Sequence, residues 1–336
     1  MNKKYKFKKN PNFKYKFDII NDGDCLGFLE KFEVFESHKD NKKYIALIKK
    51  NIIEIFSISE NKKILILKEN KNTINTIRYF INNKNLNEYL ISSDFDRIII
   101  IWDILHDYSV KLKIDMQLIP DFMIYSCLLI FTQNKDDYII STAINSEEEY
   151  DESSTKIYLF DSGEYLREIK ISNNLMVYYL LSWYNKNNNN YFIVQNCNSK
   201  ILINNLLEEK IYCEFNDKNE SYFYKGFIYN KDNNDYLCCC STNGYINIWD
   251  LYNKTIFKVI FLKGFYSTDI IHWNDKYIIT IDNTGKNCGI VDIEHNKIIS
   301  KIGNKDGFRC IKKIYHPIYG ESLLTSGNNR IKLWYI

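Results

Sequence analysis

No stretch of this sequence approaches the ~18 consecutive apolar residues of a membrane-crossing helix, so no such span is expected. Its start, MNKKYKFKKN, is basic but has no apolar stretch behind it, which does not fit a secretory signal. The expectation is a cytoplasmic or nuclear protein that is not secreted. Proline and glycine are scarce, at 3 and 12 residues of 336, while Ile, Lys and Asn dominate and Tyr and Phe are abundant. That balance favours strands joined by asparagine-rich turns. Charge of one sign is missing too: 45 basic against 42 acidic side chains leave +3, too weak a field to imply nucleic-acid binding through net charge. The nine cysteines are odd in number and show no metal-ligand spacing. Cys238, Cys239 and Cys240 fall in one predicted strand, where neighbours point to opposite faces and cannot converge on one ion. They read as small core residues in a reducing compartment. No Gly-x-Ser-x-Gly, glycine-rich phosphate loop or histidine-rich cluster occurs, so the chain reads as a non-enzyme with no cofactor and no metal. Apolar residues spaced by three and four are nowhere sustained, which leaves strands rather than helices.

What is present is a repeated template, a short apolar strand ending in an aromatic or its stand-in and often an acid. It recurs at Ile52–Ile58, Ile98–Ile104, Lys156–Ser162, Lys200–Leu206, Tyr245–Leu251, Asn287–Ile293 and Arg330–Ile336. The template position holds Phe56, Trp102, Phe160, Asn204, Trp249, Val291 and Trp334, at spacings of 46, 58, 44, 45, 42 and 43 residues. A period in the low forties with a Trp-Asp ending marks a β-propeller blade. A second apolar run precedes most templates and another follows, giving candidate second and fourth strands. One all-β domain of seven blades spanning residues 1–336 is expected.

The sequence resembles the WD40-repeat family over essentially its whole length. Trp102-Asp103 and Trp249-Asp250 keep the family dipeptide, Trp334 keeps its aromatic, and Phe160-Asp161 and Val291-Asp292 keep its acid. In that family a turn Asp six residues before the Trp bonds a His in the preceding loop, and a strand Ser and the Trp complete the network. The resemblance places Asp96 in that role in the second blade, with Asn243 and Asn328 in the fifth and seventh. The partner His is missing, because no Gly-His dipeptide occurs, so the network is expected to be incomplete or absent in most blades. His316-Pro317 matches a turn found after the family's first strand.

The sequence stops on the third strand of the last blade, while Phe13, Tyr15, Phe17 and Ile19 alternate with Lys14, Lys16 and Asp18 near the start. Period two with one apolar face predicts that Phe13 to Ile19 supplies the missing outer strand of the seventh blade. Burial of four such side chains contributes at most roughly 6–12 kcal/mol.

Function in such a fold resides in loops. The interval leading into the third blade, 58 residues, is the longest, and its excess falls in Asn145–Thr155, an acidic insertion with Glu147, Glu148, Glu149, Asp151 and Glu152. It reads as a solvated turn or as a dock for a basic partner. Residues 1–9 form a basic arm with Lys3, Lys4, Lys6, Lys8 and Lys9, a solubilising tail or a contact for RNA or anionic lipid. The resemblance implies a partner-binding face made by second-to-third and fourth-to-first strand loops. Those loops contain Phe95, Arg97, Thr242, Phe265, Tyr266, Phe308 and Arg309, and aromatic and Arg side chains make good anchors. The expectation is a monomeric propeller acting as a protein-binding scaffold in a larger complex, with no small-molecule substrate. RNA or lipid binding through the lysine arm is the alternative. A hydrolase assembled from several blades would leave no local signature.

Overall fold

A computed structural model describes residues 14–20, 32–82, 84–116, 128–145, 152–170, 177–197, 200–205, 210–216, 222–305, 307–327 and 330–335. All of its regular elements are strands, which form seven four-stranded antiparallel sheets. The fold is all-β, of the seven-bladed propeller class. Among the described residues no helix is long and apolar enough to cross a membrane.

Six blades take their strands in chain order, as in the first: Phe32–Ser37, Lys42–Lys49, Ile52–Ser57 and Lys62–Leu67. Third strands such as Ile98–Asp103 and Tyr245–Asp250 are buried on both faces after their first residue. Double burial explains why they read as continuous apolar runs instead of alternating ones. Outer strands such as Ser109–Asp115 alternate between exposed and partly covered positions, because one side faces water.

The seventh blade runs Lys14–Ile20, Arg330–Tyr335, Gly320–Ser326, Cys310–His316. The expected N-terminal strand is present over Lys14–Ile20, one residue beyond the expected end at Ile19, and Phe13 lies outside the described residues. Its pairing starts at Lys14 opposite Tyr335 and ends at Ile20 opposite Arg330, with an extra residue between Tyr15 and Phe17. The same irregularity recurs in the other six blades, in the outer strand just after the partner of the template residue, or in the third blade just after the partner of Tyr158. In the second blade Trp102 faces Val110 while Ile101 faces Leu112. A shared bulge re-aims each outer strand and blunts its free edge. Its recurrence shows that Lys14–Ile20 plays the part the other outer strands play.

The third blade corrects the template. Ile139 lies opposite Tyr158, as Leu90 lies opposite Trp102, and the bulge precedes Tyr158. The Phe160 amide donates to Asp137 O at 2.9 Å, as the Ile104 amide donates to Glu88 O at 2.9 Å. Tyr158 therefore holds the aromatic position, and Phe160 sits two residues beyond it. The long insertion is partly strand: Thr142, Ala143, Ile144 and Asn145 pair with Thr155, Ser154, Ser153 and Glu152. Residues 146–151, and with them most of the acidic run, lie outside the described residues, as does the basic arm 1–9.

Contacts divide the chain into two compact units, 23–228 and 229–336 together with 1–22. Within the first, one apolar cluster joins blades one and two through Phe35, Ile55, Leu67, Ile77, Leu90 and Trp102. Within the second, Trp273, Ile279, Ile290, Phe308, Ile311 and Trp334 join blades six and seven.

Candidate functional site

The acids after the template aromatics close hairpins. Asp103 Oδ1 accepts from the Leu105 and His106 amides at 3.0 and 3.2 Å, and Oδ2 meets His106 Nδ1 at 2.9 Å. Asp250 Oδ1 accepts from the Tyr252 and Asn253 amides at 3.0 and 2.9 Å. Side-chain capping of a turn explains the preference for Asp there. Trp102, Trp249 and Trp334 are all buried.

The second blade carries a complete polar network. Trp102 Nε1 donates to Ser92 Oγ at 3.0 Å, and Ser92 Oγ donates to Asn70 Oδ1 at 3.4 Å. Asn70 Nδ2 donates to Asp94 Oδ2 at 3.1 Å, and Asp94 Oδ1 accepts from the Asp96 and Ile98 amides at 3.1 and 3.0 Å. Asn70 stands where the resemblance would put a histidine, and the buried acid is Asp94. Asp96 is exposed and accepts from Asn72 Nδ2 at 2.8 Å. Burial pushes the Asp94 carboxyl above the usual carboxylate range. In the seventh blade Trp334 Nε1 donates to Thr325 Oγ1 at 2.8 Å. In the fourth, Asn204 Nδ2 donates to Gln195 Oε1, and Gln195 Nε2 donates to Thr155 Oγ1 at 2.7 Å. His316 serves its turn, with buried Nδ1 accepting from the Ile318 amide at 3.1 Å.

In the unit containing 229–336, the second-to-third and fourth-to-first strand loops are stitched into one continuous edge. The Leu262 amide donates to Gly244 O at 2.8 Å, Asn283 to Tyr266 O at 2.6 Å, Asn304 to Lys286 O at 3.2 Å and Arg309 to Ser326 O at 2.7 Å. The Phe308 amide donates to Gly285 O. Asp282 anchors its turn by accepting from Thr284 Oγ1 at 2.8 Å, the Lys286 amide at 3.0 Å and Asn287 Nδ2 at 2.7 Å. Gly285, at φ +66°, has no room for a side chain, since a Cβ would lie 2.8 Å from Phe308 O.

The seven loop residues named from sequence divide by burial. Phe265 and Phe308 are 1% and 2% exposed. Phe265 packs on Gly289, where a Cβ would come within 3.0 Å of its ring, and the Phe308 ring centroid is 6.2 Å from that of Trp334. Both wedge a loop onto the neighbouring blade, and their side chains are withdrawn from the surface. Tyr266 is 45% exposed, Arg309 is exposed and Thr242 is half-buried. These three share the stitched edge. Phe95 and Arg97 belong to the other unit, Phe95 being 41% exposed and Arg97 half-buried at φ 68°.

Sequence reasoning missed Lys263, Lys286 and Lys305, exposed bases on the same edge as Tyr266 and Arg309. Counting charge loop by loop, instead of over the chain, is the signal that finds them. Three buried thiols are held protonated: burial pushes Cys197 up to about 12 and raises Cys238 and Cys288 as well. Among the described residues no group of three His, Cys, Asp or Glu side chains is placed to hold a metal ion. No protein-family model matches the chain, and no curated protein matches it in sequence.

Proposed function

We propose that the chain is a non-enzymatic protein-interaction scaffold, a propeller of WD40-like type working within a larger assembly in the cytoplasm or nucleus. The observation that carries this reading is the stitched loop edge of residues 242–330. It holds Tyr266 and Arg309 outward on loops fixed by successive backbone hydrogen bonds. Fixed loops suit recognition because little conformational entropy remains to be lost on binding. An exposed Tyr and Arg are the side-chain types that most often dominate interfaces. The Trp102–Ser92–Asn70–Asp94 network supports the WD40-like reading, with an amide in place of the imidazole.

The test is affinity purification of the tagged protein from its native cells, beside a Tyr266→Ala, Arg309→Ala double variant. Partners retained by the parent and lost by the variant, at an unchanged melting temperature, are the expected result. An identical set of partners from both proteins overturns the assignment of this surface.

A further inference from the structure

The loop edge of residues 242–330 is strongly basic although the protein is nearly neutral. Counted from the sequence, its loop segments, residues 242–245, 262–268, 283–287, 303–309 and 327–330, contain Lys263, Lys286, Lys305, Arg309 and Arg330 against one acid, Asp306, which like residues 328 and 329 lies outside the described residues. That local net of +4 exceeds the +3 of the entire chain, so the other residues nearly cancel and the positive field is concentrated here. All five basic side chains are exposed. The acids packed beneath are turned inward. Asp282 is consumed by its own turn, and Asp269 accepts from the Ile270 and Ile311 amides at 2.7 and 3.0 Å. Neither lies open at the surface, at 7% and 3% exposure.

The same loops also carry polar side chains. Asn283 and Thr284 are exposed, Thr242 is half-buried, and Tyr266 adds one half-exposed ring. A polynucleotide binds through a long run of phosphate contacts and stacked bases. Here five exposed cations share the loops with one exposed ring, Tyr266, a scale that suits a short extended peptide with several anionic side chains.

We infer that this surface recognises an anionic segment of a partner protein, rich in Asp and Glu or phosphorylated. The carboxylates or phosphates lie among Lys263, Lys286, Lys305, Arg309 and Arg330, and Tyr266 packs on the peptide between them. The inference rests on the scaffold reading and adds the chemistry of the partner.

The full-length protein is titrated with a fluorescein-labelled hexaglutamate peptide, its hexaglutamine counterpart and a phosphoserine-containing peptide of equal length. Oligouridine RNA and phosphatidylserine vesicles serve as competing anions. The expected result is at least tenfold tighter binding of hexaglutamate or the phosphopeptide than of hexaglutamine. That binding falls at least tenfold on Lys286→Glu with Lys305→Glu, and weakens steeply between low and high salt. The ratio of the two anionic peptides tells carboxylate from phosphate. Equal binding of hexaglutamate, the phosphopeptide and hexaglutamine overturns the inference, as does a charge-reversal variant that is folded by circular dichroism and binds like the parent. RNA or vesicles binding more tightly than either anionic peptide overturns the peptide assignment. If native partners depend on Tyr266 and Arg309 while peptide charge has no effect, the scaffold reading stands and this inference alone fails.

Discussion

Asn70 and Asp94, 24 residues apart, meet inside the second blade, where the Asn70 side-chain amide donates to Asp94 Oδ2 at 3.1 Å. Both are almost fully buried, at 3% and 1% exposure. Asn70→Ala strips one carboxylate oxygen and the Ser92 hydroxyl of a partner. The expected cost is about 1–3 kcal/mol, the usual penalty for leaving a buried polar group unsatisfied. Urea denaturation checks it, and a double-mutant cycle with Ser92→Ala is expected to show less than additive loss.

The Asp94 carboxyl is raised above its ordinary value by burial, with Asp96 adding repulsion, while the Asn70 amide and the Ile98 and Asp96 backbone amides pull the other way. An acid with a raised folded value binds its proton more tightly when folded than when unfolded. Stability therefore falls as pH rises from the ordinary carboxylate value through the folded one, and the penalty is complete above it. Asp94→Asn removes that titration. The stability of the variant relative to the parent is expected to increase across that window and then level off, as read by denaturation at successive pH values.

Gly285 and Arg97 occupy the same turn position in the sixth and second blades, both in the left-handed region at φ +66° and 68°. Gly285→Ala meets the conformational cost of about 1–2 kcal/mol for a left-handed non-glycine residue and, in addition, the contact with Phe308 O. A loss of at least 2 kcal/mol is expected. Arg97→Gly relieves the same strain and is expected to leave stability unchanged or up to about 1 kcal/mol higher. Thermal unfolding of both variants checks the pair, and a stabilised Gly285→Ala protein would contradict the geometry.

Deleting residues 1–20 uncovers the edge of Arg330–Tyr335, which then has a ladder partner on one side only. Unpaired apolar edges seek other strands. The truncated chain is expected to melt at least 10 °C lower or to associate, as read by calorimetry and light scattering. A monomer with the parental melting temperature would refute the closure.

The blades were legible because double burial writes third strands as unbroken apolar runs, and the alternation from Phe13 to Ile19 announced an outer strand before any partner was known. Register was less legible where the sequence offered two candidates. The segment Lys156–Ser162 has aromatics at both 158 and 160, and Asp161 after Phe160 mimics the template acid although it is an exposed turn residue paired with Lys111. Likewise Asp94 and Asp96 flank one residue, and only burial tells the network acid from its exposed neighbour. Asn70 was invisible as a network member because its partners come from a different strand and any polar residue type suits a loop. At the candidate surface Tyr266 and Arg309 were legible as exposed loop side chains. The inward wedging of Phe265 and Phe308 was not, since an aromatic in a loop has the same sequence signature whether it faces water or the next blade.

Because Lys14 lies opposite Tyr335, tension applied through the two tails enters the seventh blade at one end of a single ladder and at right angles to its strands. Load of that kind parts the rungs one after another, as a zipper opens, instead of shearing them together. Under force the protein should yield first at this seam and at low load, releasing a short length of chain while the remaining sheets hold.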